Sequence, residues 1–341
     1  ISLMLAFLFI VLAGTILLAG SVYYRQVEKH YREEVERKLS AVTELKVDEI
    51  LQWREERQAD ASVLHNNETI IKLVRRTHQY SADKEARRLL KEWLVKFQNH
   101  YHYKNVLFVD PSGTIKLSAI GTVPDAYPEI KKRVHRLKSW ERIVFIDFYR
   151  SEPEKPVGLM ILVPVLNHKQ KLGVLVLLID PSTFLYPLLQ RWPTPSKTGE
   201  TLLIRREDDK VVFLNELKYQ ENTALGLRLP LKNDTLPAAR AARGFEGVME
   251  GMDYRGKSVI ASVRAVPESP WFMVARIDTA EILEPVRQRF WVMLFFVVVL
   301  IAGAGIMVWL IWQWQRGLFN RRELDAARRL QPARKDSGWP S

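Results

Sequence analysis

The segment Ile146-Asp147-Phe148-Tyr149-Arg150 holds the residues best suited to chemistry. A strand has a side-chain period of two. That period sets Asp147 and Tyr149 on one face, and Phe148 and Arg150 on the other. Tyr127 and Trp140 flank the helical segment before it. A carboxylate and a phenol against aromatic walls suit a cationic or polar small molecule, because a ligand pocket needs an apolar wall and a few placed polar groups. The expected ligand-binding residues are therefore Tyr127, Trp140, Asp147, Tyr149 and Arg150. The competing reading makes Asp147 and Tyr149 a satisfied core pair or a solvent-facing pair. Tyr254, Arg264 and Trp271 would line a second pocket, although Trp271, opening a strand after Pro270, also reads as core.

Catalytic patterns are missing. The sequence has no Gly-x-Ser-x-Gly elbow, P-loop, His-Glu-x-x-His or kinase signature. Phospho-acceptor histidine boxes and nucleotide-cyclase loops are absent too. It has no cysteine, which excludes disulfides, thiolate metal sites and cysteine nucleophiles. His100-x-His102 would share a face on a strand and offer half a metal site. Tyr101 and Tyr103 beside it make a loop or helix end an equal reading. Asp208-Asp209 and Asp110 sit in turn-like contexts, where Asp hydrogen-bonds its own backbone. No catalytic residue, cofactor or metal is expected.

These residues must be held by something, and the strongest structural signals lie at the two ends. Ile1–Val22 and Phe290–Trp312 are apolar runs without a charge. Each approaches the roughly 20 residues that a helix needs to cross a bilayer core. The first is longer than a signal-peptide core of about 7–15 residues, so it reads as an uncleaved helix. The formal net charge is +12. Its densest basic cluster, Arg316, Arg321, Arg322, Arg328, Arg329, Arg334 and Lys335, directly follows the second run. That position fits the positive-inside rule and contact with anionic lipid, not nucleic acid. The C-terminus is then expected in the cytoplasm and the central region outside. Trp309, Trp312, Trp314 and Arg316 would anchor the second helix at the membrane boundary.

Between the runs, no Pro or Gly interrupts Ser21 to Asp110. Apolar residues recur at Val35, Leu39, Val42, Val47, Ile50, Leu51, Ala61 and Leu64, mostly three or four apart, as in an amphipathic helix. Lys and Arg alternate with Glu and Asp over the rest of that surface, as on a solvated helix face. Strand signals follow, and the pattern strand, turn, strand, helix, strands occurs twice. Its closing segments match: Ile179-Asp180-Pro181-Ser182-Thr183-Phe184-Leu185-Tyr186-Pro187 parallels Ile277-Asp278-Thr279-Ala280-Glu281-Ile282-Leu283-Glu284-Pro285. Either Asp is placed to cap the helix that follows. A Pro-rich link, 192–199, separates the two units. The expected fold class is α+β: a long N-terminal helix and two tandem antiparallel-sheet modules between two transmembrane helices. The expected divisions are a membrane helix over 1–22, a helical stalk over 23–98, a membrane-distal module over 99–192 and a membrane-proximal one over 193–285. A second membrane helix over 286–314 and a basic tail over 315–341 complete the chain.

Several stretches carry a family resemblance. They are 46–57 (KVDEILQWREER), 185–196 (LYPLLQRWPTPS), 200–206 (ETLLIRR), 253–256 (DYRG) and 270–275 (PWFMVA). The chain resembles a double Cache (tandem PAS-like) extracytoplasmic sensor region, of the subgroup at the front of bacterial histidine kinases and diguanylate cyclases. The resemblance implies a dimeric inner-membrane receptor that relays a helix movement after binding a small molecule. The expected function is the sensor half of a histidine kinase. The alternatives are the sensor of a diguanylate cyclase or a membrane-anchored periplasmic assembly protein. The Arg-x-Trp-Tyr cluster of the amino-acid-binding subset is absent, since Trp140-Glu141-Arg142 has the wrong order.

Overall fold

The computed structural model describes residues 2–79, 83–121, 128–137, 139–150, 156–168 and 170–329. Helix α1 runs unbroken from Ser2 to Leu64. It ends where Asn66 turns left-handed at φ 61°. The Asn67 side chain then accepts from the amides of Thr69 and Ile70 and starts α2, Glu68–Gln79. Asp83 does the same for Ala86 at the start of α3, Lys84–Tyr101. The helical stalk expected over 23–98, with one helix to about Asn66 and another from about Asp83, thus holds a further short helix, α2, between them. His102 closes α3 in a left-handed conformation, so His100 and His102 sit at a helix end and not on a strand. Among the described residues, no group of three or more metal-ligating side chains forms.

The first sheet comprises β1 (Asn105–Val109), β2 (Ile115–Ser118), β3 (Val144–Tyr149), β4 (Gly158–Asn167) and β5 (Gln170–Ile179). Its order is β2-β1-β5-β4-β3. Helix α4, Pro128–His135, lies between β2 and β3 in sequence, and α5, Leu185–Gln190, follows β5. The second sheet comprises β6 (Glu200–Glu207), β7 (Lys210–Phe213), β8 (Arg228–Pro230), β9 (Gly247–Met252), β10 (Ser258–Ala265) and β11 (Trp271–Asp278), with the short helix α6 at Pro237–Ala241. Its order is β8-β7-β6-β11-β10-β9. Without the edge strand β8, the two sheets have the same order of corresponding strands. All pairings are antiparallel. Both Asp turns form as expected: Asp110 accepts from the amides of Ser112 and Thr114, and Asp208 takes a positive φ.

Residues 36–279 form one compact unit. A single apolar core threads it, joining Val47, Ile50, Trp53, Ala61 and Leu64 of α1 to Leu175 and Leu177 of the first sheet and Leu203, Trp271 and Met273 of the second. The apolar stripe of α1 is thus a spine for both sheets. Polar ties fix its register: buried Lys46 donates to the Leu188 carbonyl at 2.7 Å, and Arg54 to the Glu268 carbonyl at 2.8 Å. A second cluster under α4 fills the opposite face of the first sheet, and a third under α6 that of the second.

The start of α1 and most of α7 (Thr279–Arg329) form a separate unit. Both helices are long and apolar enough to cross a membrane. Small residues bring them together, since a β-carbon on Gly20 would lie 3.8 Å from Val297 and one on Gly305 3.6 Å from Phe9. Tyr24 meets Phe290 edge-on at 5.2 Å. Trp309 and Trp314 are exposed and Trp312 is half-buried. The Arg316 side chain lies outside the described residues.

Gly173 faces Phe108 across the β1–β5 pair, at φ 153°, where a β-carbon would lie 2.6 Å from the Phe108 ring. Gly173→Ala should destabilise the chain by about 1–3 kcal/mol through overpacking and strain. Thermal unfolding checks this, and an unchanged melting temperature contradicts it.

Candidate functional site

The five residues expected to share a pocket do not all converge. The pairing of β3 with β4 slips by one residue: Ile146 faces Met160 but Tyr149 faces Gly158. Asp147 and Phe148 therefore stand opposite the single residue Leu159, which is a β-bulge. The bulge breaks the alternation. Ile146 and Tyr149 both pack on the α4 side, while Phe145 and Phe148 pack on the α1 side. Asp147 and Tyr149 are not partners on one face. Trp140 joins the α4-side cluster, with the Lys171 ammonium 5.0 Å over its ring. Tyr127 lies outside the described residues.

The bulge aims Asp147 at the other sheet. One carboxylate oxygen accepts the indole N–H of Trp271 at 2.8 Å. The other accepts from Arg205 Nη1 at 2.8 Å, and Arg205 also donates to the Phe148 carbonyl at 3.1 Å. Trp271, 1% exposed, is wedged between the edges of Phe145 and Phe148. The Arg54 guanidinium of α1 lies 5.2 Å over its ring. Burial lowers the pKa of Arg54, against the opposing charges of Glu268 and Asp147. One indole thus ties α1, the first sheet and the second sheet together.

Beside this tie lies an open cleft of about 530 Å³, within the range of small-molecule sites. Helix α4 contributes Glu129, Lys132 and Arg133, and β3 with its exit contributes Phe148, Tyr149 and Arg150. The second sheet supplies Arg205, Leu225, Gly226 and Arg228. Tyr149 and Arg150, both expected at a site, line this cleft; Asp147 stands behind it through Arg205. Arg150 reaches across to donate to the Ala224 carbonyl at 2.8 Å. Glu207 accepts from Arg205 and, at 2.6 Å, from Arg228. Burial pushes the Glu207 carboxyl up, but the two guanidiniums outweigh it and hold the group below its ordinary range.

Tyr254, Arg264 and Trp271 do not form a pocket. Arg264 pairs with Glu44 of α1 at 3.0 Å, and Trp271 faces the α1 core. Tyr254 belongs to a buried ionic cluster on the α6 side of the second sheet. There Arg276, 1% exposed, bonds Glu200 and lies 3.0 Å from both Asp253 and Asp278. Arg255 bonds Asp253 at 2.6 Å and also Asp278. The Tyr254 hydroxyl donates to Glu200 at 3.1 Å. Burial first, and then the Glu200 charge, push its pKa upward against Arg276. Phe184, not Asp180, is the N-cap of α5. Asp278 is drawn into the ionic cluster. Asp180 folds back on Ser182 at 3.0 Å and pairs with Lys104 at 3.1 Å.

Two tandem PAS-like antiparallel sheets on a long helix define the class of extracytoplasmic sensor modules. Residues 27–286 match the family model of the Cache domain, and the chain belongs to that family. No curated protein matches it. The sensory domain of the Campylobacter jejuni chemoreceptor Tlp3, solved with isoleucine bound, superposes with a TM-score of 0.53 at 11% identity, covering 75% of this chain and 98% of that one. A domain from a Vibrio parahaemolyticus protein assigned to the sensory box/GGDEF family gives 0.52 at 17% identity, covering 75% and 99%. The extracellular domain of vpHK1S-Z8, described as a histidine kinase, gives 0.51 at 16% identity, covering 76% and 95%. At such identities the likeness is one of fold.

Asp147→Ala leaves the buried Trp271 N–H without this acceptor and should cost about 1–3 kcal/mol of stability. The same change in a Trp271→Phe background should cost clearly less, because the N–H is already gone. A double-mutant cycle read by denaturant unfolding checks this, and additive effects would count against the tie. Glu207 favours folding above its ordinary pKa of about 4.3, and that contribution is lost as pH falls through its lower folded value. The acid-induced drop in melting temperature below about pH 4.3 should therefore be shallower in Glu207→Gln. An identical slope contradicts the assignment.

Proposed function

We propose that this chain is the ligand-sensing and signalling region of a bacterial inner-membrane receptor. Its Cache domain is periplasmic and its C-terminus cytoplasmic. The output it serves is a histidine kinase in preference to a diguanylate cyclase, the order implied by the sequence resemblance. The protein works as a homodimer and does not itself catalyse a reaction. The single observation that carries the reading is continuity between sensor and span: β11 ends at Asp278 and α7 begins at Thr279. β11 also carries Trp271, which ties the two modules, and Arg276, which anchors the buried ionic cluster. A shift in how the modules meet is thereby a shift in the strand that becomes a membrane helix.

A ligand biases such a device only if it binds one arrangement more tightly than the other. The inter-module position of the cleft supplies that difference, since closing or opening it changes the distances among its lining charges. A periplasmic assembly protein would need a broad apolar docking face instead, and the cleft favours the receptor reading.

Fusion of the chain to a reporter histidine kinase in membrane vesicles tests the proposal. Output should change with medium composition, and Asp147→Ala should shift basal output at least about twofold, since a change of a few tenths of a kcal/mol already moves a balanced equilibrium by that factor. If deleting residues 99–278 leaves both the output and its response to medium unchanged, the receptor reading fails.

A further inference from the structure

We propose that the inter-module cleft is a binding site for a small dianion, a dicarboxylate or a phosphate ester, and that this anion is a signal the receptor reads. The proposal rests on the sensor reading above and adds the site and the ligand charge. It also reverses the sign suggested by Asp147 and Tyr149 as a facing pair.

Charge is the first argument. Among the described residues, Lys132, Arg133, Arg150, Arg205 and Arg228 line the cleft, against Glu129 as its carboxylate. Even with Asp147 and Glu207 counted behind it, cations outnumber carboxylates. Among the described residues, a cationic ligand would enter a like-charged cleft whose lining carboxylate is already paired. Both oxygens of Glu129 are already engaged, one 3.3 Å from Lys132 and the other 3.3 Å from Arg133. A zwitterion meets the same obstacle at its ammonium end.

Placement is the second. The cations come from both modules: Lys132, Arg133 and Arg150 from the first, Arg205 and Arg228 from the second. An anion with two charged ends spans them, which a single charge does not. Guanidinium forks bind carboxylate and phosphate oxygens with paired hydrogen bonds. Leu225, Gly226 and Phe148 give the middle of such a ligand an apolar wall.

Position is the third. Arg205 both lines the cleft and holds Asp147, the acceptor of the Trp271 indole. An anion that recruits Arg205 competes directly with Asp147 and loosens the tie. Occupancy is thereby coupled to the arrangement of the two sheets without any distant relay.

The test uses the full chain in nanodiscs at constant ionic strength, with succinate, malate and inorganic phosphate as probes, and L-serine and putrescine as zwitterionic and cationic controls. Calorimetry and thermal shift should show binding of at least one dianion and none of the controls. A preference for succinate over phosphate, or the reverse, tells the carboxylate source from the phosphate source. Lys132→Gln and Arg228→Gln, both at exposed positions, should each weaken that binding about tenfold, and Glu129→Gln should tighten it by freeing Lys132 and Arg133. The site is overturned if no dianion binds, if both cation variants bind like wild type, or if putrescine binds in their place. The reporter fusion separates the two claims. A fusion that still needs residues 99–278 for its response, in a chain that binds no dianion, sinks the site alone. Dianion binding with an output that ignores the whole central region sinks the sensor reading.

Discussion

The contact on which the rest depends is the hydrogen bond from the Trp271 indole to Asp147. Trp271 starts the last strand of the second sheet, and Asp147 sits in the edge strand of the first. Burying an indole N–H without an acceptor is costly, so the two sheets are held at the spacing that keeps this bond short. Arg54 of α1 closes the third side by lying over the same ring. Around that point the apolar core runs continuously from the helix into both modules. The two sheets form one body, with a charged cleft along their seam.

The second sheet adds a different kind of constraint. Arg276, Glu200, Asp253, Asp278 and Arg255 bury opposite charges where β11 gives way to α7. Such clusters add little net stability relative to apolar packing, but breaking one partner leaves a buried charge exposed to the low-dielectric interior. The end of β11 is therefore held firmly within the second sheet.

Much of the fold was legible from patterns in the chain. The apolar stripe of α1, the Asp turns and the twice-repeated order of elements all rest on local rules, periodicity and backbone preference. The repeat appears in space as two sheets with the same order of corresponding strands. Membership of the Cache family over residues 27–286 agrees with the stretches that carried the resemblance. The helix end near Asn66 and the helix start at Asp83 were legible too, whereas the short helix α2 between them was not, because the Asn67 cap is recognisable only once its amide partners are known.

The candidate site was legible only in part. Tyr149 and Arg150 line the cleft, yet the reasoning that selected them assumed unbroken alternation in β3. No residue type announces the bulge at Asp147; it follows from the pairing of β3 with β4. Nothing in the sequence groups Arg205, Arg228, Lys132 and Arg133, since separate segments give no sign that they will face one another. The sequence by itself determined the α+β layout between two long apolar helices, the tandem repeat and the absence of any recognised catalytic motif, because these depend on composition and short-range spacing. Only the tertiary structure decided that Asp147 joins two modules instead of lining a pocket, and that five cations meet across a seam. Those facts depend on register and on which sheet edges approach, and both are set by the packing of the whole domain around α1.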